Sequence, residues 1–200
     1  LNDVGAALVR VSTVGLFHYG VATTTETNAL ILGAMGNGNV AYGMNDHGVV
    51  VGHTFLAPGP TVSRGGYWLT PDSLQLVPVI AGFPHTILTS ISESGRAFGD
   101  AATMLPTASG QIWNDVTKRA FYFEPGSLPV FLDTVTAGLP AGWSISHVSD
   151  CNRSGVLIGY GRNGSGWISF RLLPRFARIE GEVELMDFEG DMVGRQVAVD

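Results

Sequence analysis

Apolar residues along this chain fall in short runs separated by polar, glycine-bearing turns, and one arrangement recurs. An apolar residue leads into two polar residues, a variable one and Gly; a β run follows and closes on a second Gly. Met44-Asn45-Asp46-His47-Gly48-Val49-Val50-Val51-Gly52 is the clearest copy. Ile91-Ser92-Glu93-Ser94-Gly95-Arg96-Ala97-Phe98-Gly99 and Cys151-Asn152-Arg153-Ser154-Gly155-Val156-Leu157-Ile158-Gly159 are two more. The chain opens on a fourth, Leu1-Asn2-Asp3-Val4-Gly5-Ala6-Ala7-Leu8-Val9, in which Val9 replaces the closing Gly. A repeat of this length points to stacked or radial units of one supersecondary structure.

Around each copy the same elements are predicted. Residues 39–44 read as a strand and Asn45–Gly48 as a turn, since Asn and Asp bond back to nearby backbone and Gly takes positive φ. The β-branched run from Val49 to Phe55 returns antiparallel. Gly66-Tyr67-Trp68-Leu69-Thr70 gives a third strand, and residues 74–79 a fourth. In the next unit Arg119–Phe123 is the third strand and Leu128–Leu132 the fourth. Tyr67–Pro71 and Phe121–Pro125 correspond on this reading, both ending in a turn-starting Pro. The turn glycines Gly5, Gly48, Gly95 and Gly155 stand 43, 47 and 60 residues apart, the last gap holding an insertion at 100–118. No sustained 3.6-residue apolar period predicts a helix. The expected fold is all-β: repeated four-stranded antiparallel meanders, a β-propeller-like fragment over residues 1–174. Residues 175–200 then begin a second, β-sandwich-like module, because Arg178–Leu185 alternates with period two.

Composition sharpens this only in part. The 27 Gly and 10 Pro with 14% charged residues suit a turn-rich β protein. A net charge of -6 offers no electrostatic footprint for nucleic acid, and no apolar run is long enough for membrane insertion. Residues 1–174 carry a net of -2 and residues 175–200 a net of -4, a step consistent with the module boundary. The single cysteine, Cys151, excludes an internal disulfide framework. Lys118 is the only lysine against ten arginines. The chain starts within a repeat and without Met, as an internal fragment does.

The phrase apolar-Asn-Asp-x-Gly-x-Val-Val-Gly, followed by an aromatic strand ending in Pro, resembles the HAF repeat, a probable extracellular repeat of bacteria. The likeness spans residues 1 to about 173. Ser92-Glu93 in place of Asn-Asp, Arg153 in place of Asp, and Val9 in place of Gly depart from it. The resemblance implies an extracellular or cell-surface location and carries no catalytic residue.

Candidate chemistry is sparse. His18, His47, His53, His85 and His147 lack metal-ligand spacing, so no metal is expected. No nucleophile elbow, Walker motif or dense calcium loop occurs, and no cofactor is expected. His53 and Asp100 each follow a closing Gly, so equivalent positions could bring both to one face. Trp68, Trp143, Trp167, Tyr67, Tyr122 and Phe121 sit on predicted strands, where packing between units explains them. Trp113, in the insertion, is expected to be the exposed one. His53, Asp100 and Trp113 are thus the candidate binding residues. The expected function is an extracellular scaffold or binding module without catalysis, its partner open between polysaccharide and surface protein. The alternative is a propeller-fold hydrolase or lyase acting on extracellular polysaccharide.

Overall fold

The computed structural model describes residues 3, 5–13, 16–22, 30–32, 38–56, 62–107, 110–164, 166–173, 183–186 and 192–196. These form an all-β protein of several antiparallel sheets. Strands β1 (Ala7–Thr13), β2 (Leu16–Ala22) and β3 (Leu30–Ile31) make the first sheet. The second contains β4 (Asn39–Met44), β5 (Val50–Phe55), β6 (Ser63–Trp68) and β7 (Leu74–Leu76) in sequence order. The third contains β8 (His85–Ile91) and β9 (Ala97–Ala102). After the separate hairpin β10 (Met104–Thr107) and β11 (Gly110–Trp113), it resumes with β12 (Arg119–Phe123) and β13 (Val130–Phe131). The hairpin is the insertion expected at 100–118. The fourth sheet runs through β14 (Trp143–Cys151), β15 (Leu157–Asn163), β16 (Gly166–Leu172), β17 (Val183–Met186) and β18 (Met192–Gln196). Strands β17 and β18 thus extend the fourth sheet through the β16–β17 ladder.

The recurring turn has one geometry. Asn45 N–H donates to Val49 O at 3.1 Å and Gly48 N–H to Asn45 O at 3.1 Å. Ser92, Gly95 and Arg96 repeat this, as do Asn152, Gly155 and Val156. Gly48, Gly95 and Gly155 take φ of 78°, 85° and 79°. This is the three-residue hairpin loop that ends on a left-handed residue. Asn45 Oδ1 also accepts from the N–H groups of His47 and Val49.

The closing Gly has a different cause. Gly52, Gly99 and Gly159 pair with Ala41, Leu88 and Val148, and each first strand shifts register there, inserting Tyr42, Thr89 and Ser149 as bulge residues. The bulge drives the partner strand's carbonyl toward the glycine. A Cβ there would overlap the carbonyl oxygens of Val40, Ile87 and His147 respectively. In the first sheet Val9 pairs with Gly20 of β2, and among the described residues no strand flanks β1 on its other side.

Each inner sheet is buried on both faces, with alternate residues serving different neighbours. Val51 and Tyr67 meet Leu88, Ala97, Phe121 and Phe123 between the second and third sheets. Phe98 and Ala120 meet Val148, Leu157 and Phe170 between the third and fourth. Trp68 and Val50 pack with Leu32 toward the first. The ladders correct the sequence alignment of the third strands. Gly66 and Phe121 both face the closing glycines, so Trp68 corresponds to Phe123, one residue from the match made on proline. A one-residue slip exchanges the faces. This is why Tyr67 packs with the third sheet while Trp68 packs with the first.

Candidate functional site

The turns meet at one end. Asp3 N–H donates to Asp46 Oδ1 at 2.8 Å, and Asp46 N–H to Glu93 Oε2 at 3.1 Å. The acidic side chain of each turn thus reaches back to the turn of the preceding unit. Arg153, at the corresponding position of the fourth unit, bonds the carboxylates of both Asp3 and Asp46. Beside them lies a polar cavity of about 630 Å³ between β4, β8 and β14. On its wall Ser90 Oγ accepts from Cys151 N–H at 3.0 Å and donates toward Cys151 Sγ at 3.0 Å. Burial pushes the Cys151 thiol up to about 11, with Asp150 and Glu93 adding to it against the Ser90 bond.

A second polar constellation joins the third and fourth sheets. Asp100 follows the closing Gly99 on β9 and is fully buried. Its Oδ2 lies 2.9 Å from Lys118 Nζ and 2.6 Å from His147 Nδ1. Lys118 Nζ also donates to Tyr160 Oη at 3.3 Å, and the His147 ring stacks on Tyr160 with centroids 4.7 Å apart. Both partners of the buried carboxylate therefore also hold Tyr160. Burial alone would lower the Lys118 pKa; the charge and hydrogen bond of Asp100, with help from Tyr160, reverse this and raise it. The chain's single lysine is placed where its ammonium compensates an interior carboxylate.

Tyr160 bridges to the surface. Its ring meets Trp167 edge-on at 5.2 Å and 80°, and the Arg162 guanidinium stands 5.1 Å from the Trp167 ring centre. A cavity of about 340 Å³ opens here, lined by Asp115, Tyr160, Trp167, Ile168 and Ser169. Asp115 comes from the turn after the β10–β11 hairpin. That turn is pinned by Asn114 N–H to Thr103 O at 2.9 Å and by the Thr103 and Thr117 hydroxyls at 2.8 Å. The insertion therefore delivers Asp115 and Lys118 to the site.

The three candidates from the sequence part company. Asp100 joins the cluster just described. His53 holds the register position of Asp100 one sheet earlier, but its ring packs on Tyr42 at 5.7 Å and edge-on to Phe55 at 4.9 Å. Among the described residues no hydrogen bond or ion pair joins it to Asp100. Burial lowers the His53 pKa to about 4. Trp113 lies on β11 opposite Met104; its side chain falls outside the described residues. Among the other aromatics Trp68, Tyr67 and Phe121 are buried as expected, whereas Trp167 is 41% exposed. No spacing in the sequence points to Lys118, His147, Tyr160 or Asp115 as a site; the lone lysine is the one available signal.

No group of three or more His, Cys, Asp or Glu able to hold a metal occurs among the described residues. No family model, curated protein or solved structure matches the chain.

Proposed function

We propose that this chain is an extracellular or cell-surface repeat scaffold and binding module of the HAF kind, its units arranged like the blades of a propeller and without catalytic activity of their own. The observation that carries the reading is the equivalence of the second, third and fourth sheets. Each combines the same three-residue turn, the same bulge and the same closing glycine, and consecutive sheets pack face to face. Strands β4, β8 and β14 border the turn-end cavity, the place that first strands take in a propeller. The buried carboxylate at Asp100 is committed to Lys118 and His147 between two sheets, a use that favours structure over turnover.

One observation favours the enzymatic alternative, a hydrolase or lyase on extracellular polysaccharide: the same cluster reaches the open cavity through the Tyr160 ring. A single assay separates the two. The chain is mixed with insoluble polysaccharides and cell-wall preparations, and sedimented protein is measured alongside new reducing ends and ultraviolet absorbance of unsaturated sugars. Retention without new ends supports the module; sustained release of ends overturns it. Immunodetection in fractionated source cells tests location, with cytoplasmic confinement contradicting the proposal.

A further inference from the structure

The forward face of the fourth sheet differs from the equivalent faces before it. Val51 and Phe98 hold one register position in the second and third sheets and are 0% and 3% exposed under the sheet that follows. Ile158 holds that position in the fourth and is 48% exposed. On the third strand, Gly65 and Ala120 give way to Ser169, and Tyr67 and Tyr122 to Arg171. The third-strand positions of this face are thus polar, while Ile158 stays apolar and exposed.

On that face stands the Trp167 ledge. Its indole is 41% exposed, meets Tyr160 edge-on and carries the Arg162 guanidinium over its ring, so the rest of its surface is what a ligand can reach. Asp115 makes no ion pair among the described residues, and the Ser169 hydroxyl shares the cavity wall with it. The volume lies at the small end of the ~300–1,000 Å³ range of ligand clefts. A flat apolar ring beside one carboxylate and one hydroxyl matches a ligand with an apolar C–H face and a rim of hydroxyls. Trp and Tyr serve such ligands because they offer a large rigid surface with a polar edge. We infer that this ledge is a carbohydrate subsite: a hexopyranose ring of a polysaccharide lies on Trp167, with its hydroxyls donating to Asp115 and exchanging hydrogen bonds with Ser169. The inference rests on the binding reading above and adds to it a place and a ligand class.

The test is calorimetric titration of the whole chain with cellotetraose, the N-acetylglucosamine tetramer and mannotetraose. Binding of at least one is expected, weakened at least about tenfold by Trp167→Ala and less by Asp115→Asn, as for an aromatic anchor with a polar rim. Leu69→Ala, at an exposed apolar position just after β6, should leave it unchanged, and Trp167→Phe should restore part of it. Melting curves of each variant confirm that the fold is retained. Binding that survives Trp167→Ala overturns the subsite and leaves the binding module standing. Absence of binding to all three tetramers at millimolar concentration overturns the ligand class, while retention on cell-wall protein in the sedimentation assay would still support the module.

Discussion

Gly48 and Gly52 belong to one nine-residue phrase, yet replacing each with Ala should fail for different reasons and by different amounts. At Gly48 an added Cβ meets nothing within 4 Å. The cost is conformational, because φ of 78° disfavours L side chains by about 1–2 kcal/mol. Loss of unfolded-state freedom offsets part of this, leaving about 1 kcal/mol. At Gly52 the added atom overlaps Val40 O and lies 2.9 Å from both Val40 C and Ala41 Cα. All three are backbone atoms, so no side chain can swing aside. Strands β4 and β5 must part, adding about 1–3 kcal/mol of overpacking strain and weakening ladder hydrogen bonds worth about 1 kcal/mol each. Together these give about 3–5 kcal/mol, against a total stability of about 5–15 kcal/mol for an ordinary domain. Urea unfolding followed by Trp fluorescence measures both variants, and amide exchange on β4 reports whether the loss is local. Equal costs at the two glycines, or a Gly52→Ala loss under about 1 kcal/mol, would show that the bulge carbonyl is not what demands glycine.

Four further outcomes are expected. His53 has a folded pKa of about 4 against an unfolded 6.5, so the unfolded chain binds the extra proton between those values. Above pH 6.5 this residue adds no protonation penalty, and stability falls through the window to about pH 4 by roughly 3 kcal/mol; comparing wild type with His53→Phe at pH 7.5 and 4.5 isolates this, and equal pH slopes would contradict it. Asp100→Asn removes the charge facing Lys118 and should cost about 3–5 kcal/mol in urea unfolding, whereas a loss under about 1 kcal/mol would mean that the interior tolerates an uncompensated ammonium. Cys151, with its thiol near 11 instead of 9.0, should react with a disulfide reagent at pH 8 about 100-fold more slowly than a free thiol, and rapid labelling of the folded chain would refute the burial argument. Ending the chain at 174 removes β17 and β18; if residues 175–200 are a separate module the remainder should lose no more than about 1 kcal/mol, and a larger loss in its unfolding free energy would assign those strands to the fourth sheet's fold.

What could be read from the sequence was local. Asn45, Asp46 and Gly48 state their turn in adjacent residues, and the β-branched run after it states its strand, so both survive without knowledge of neighbours. The closing glycine was visible as a recurrence but not as a cause, since the cause is a carbonyl on another strand. Aligning the third strands on their two prolines misplaces the register by one residue, because the ladder sets Phe121 and Gly66 opposite the closing glycines. The Asp100 cluster draws on β9, the approach to β12, β14 and β15. No spacing announces such a meeting, and Lys118 showed only as an oddity of composition. A strand position predicts packing for Trp167; its exposure depends on which sheet face lies uncovered, a fact that no window of sequence contains.

The backward reach of the turns gives the chain a direction in time. The Asp3 amide is satisfied by Asp46, and the Asp46 amide by Glu93, so each turn's donor waits for a residue 43 or 47 positions further on. On a ribosome the earlier unit emerges first and stands incomplete until its successor arrives. Domains synthesised this way fold from the N-terminal side at the pace of elongation. Each new unit would then act as the fastening for the one before it. Arg153, which takes up Asp3 and Asp46 together, is the last of these fastenings to leave the tunnel, and it returns to the turns of two earlier units at once.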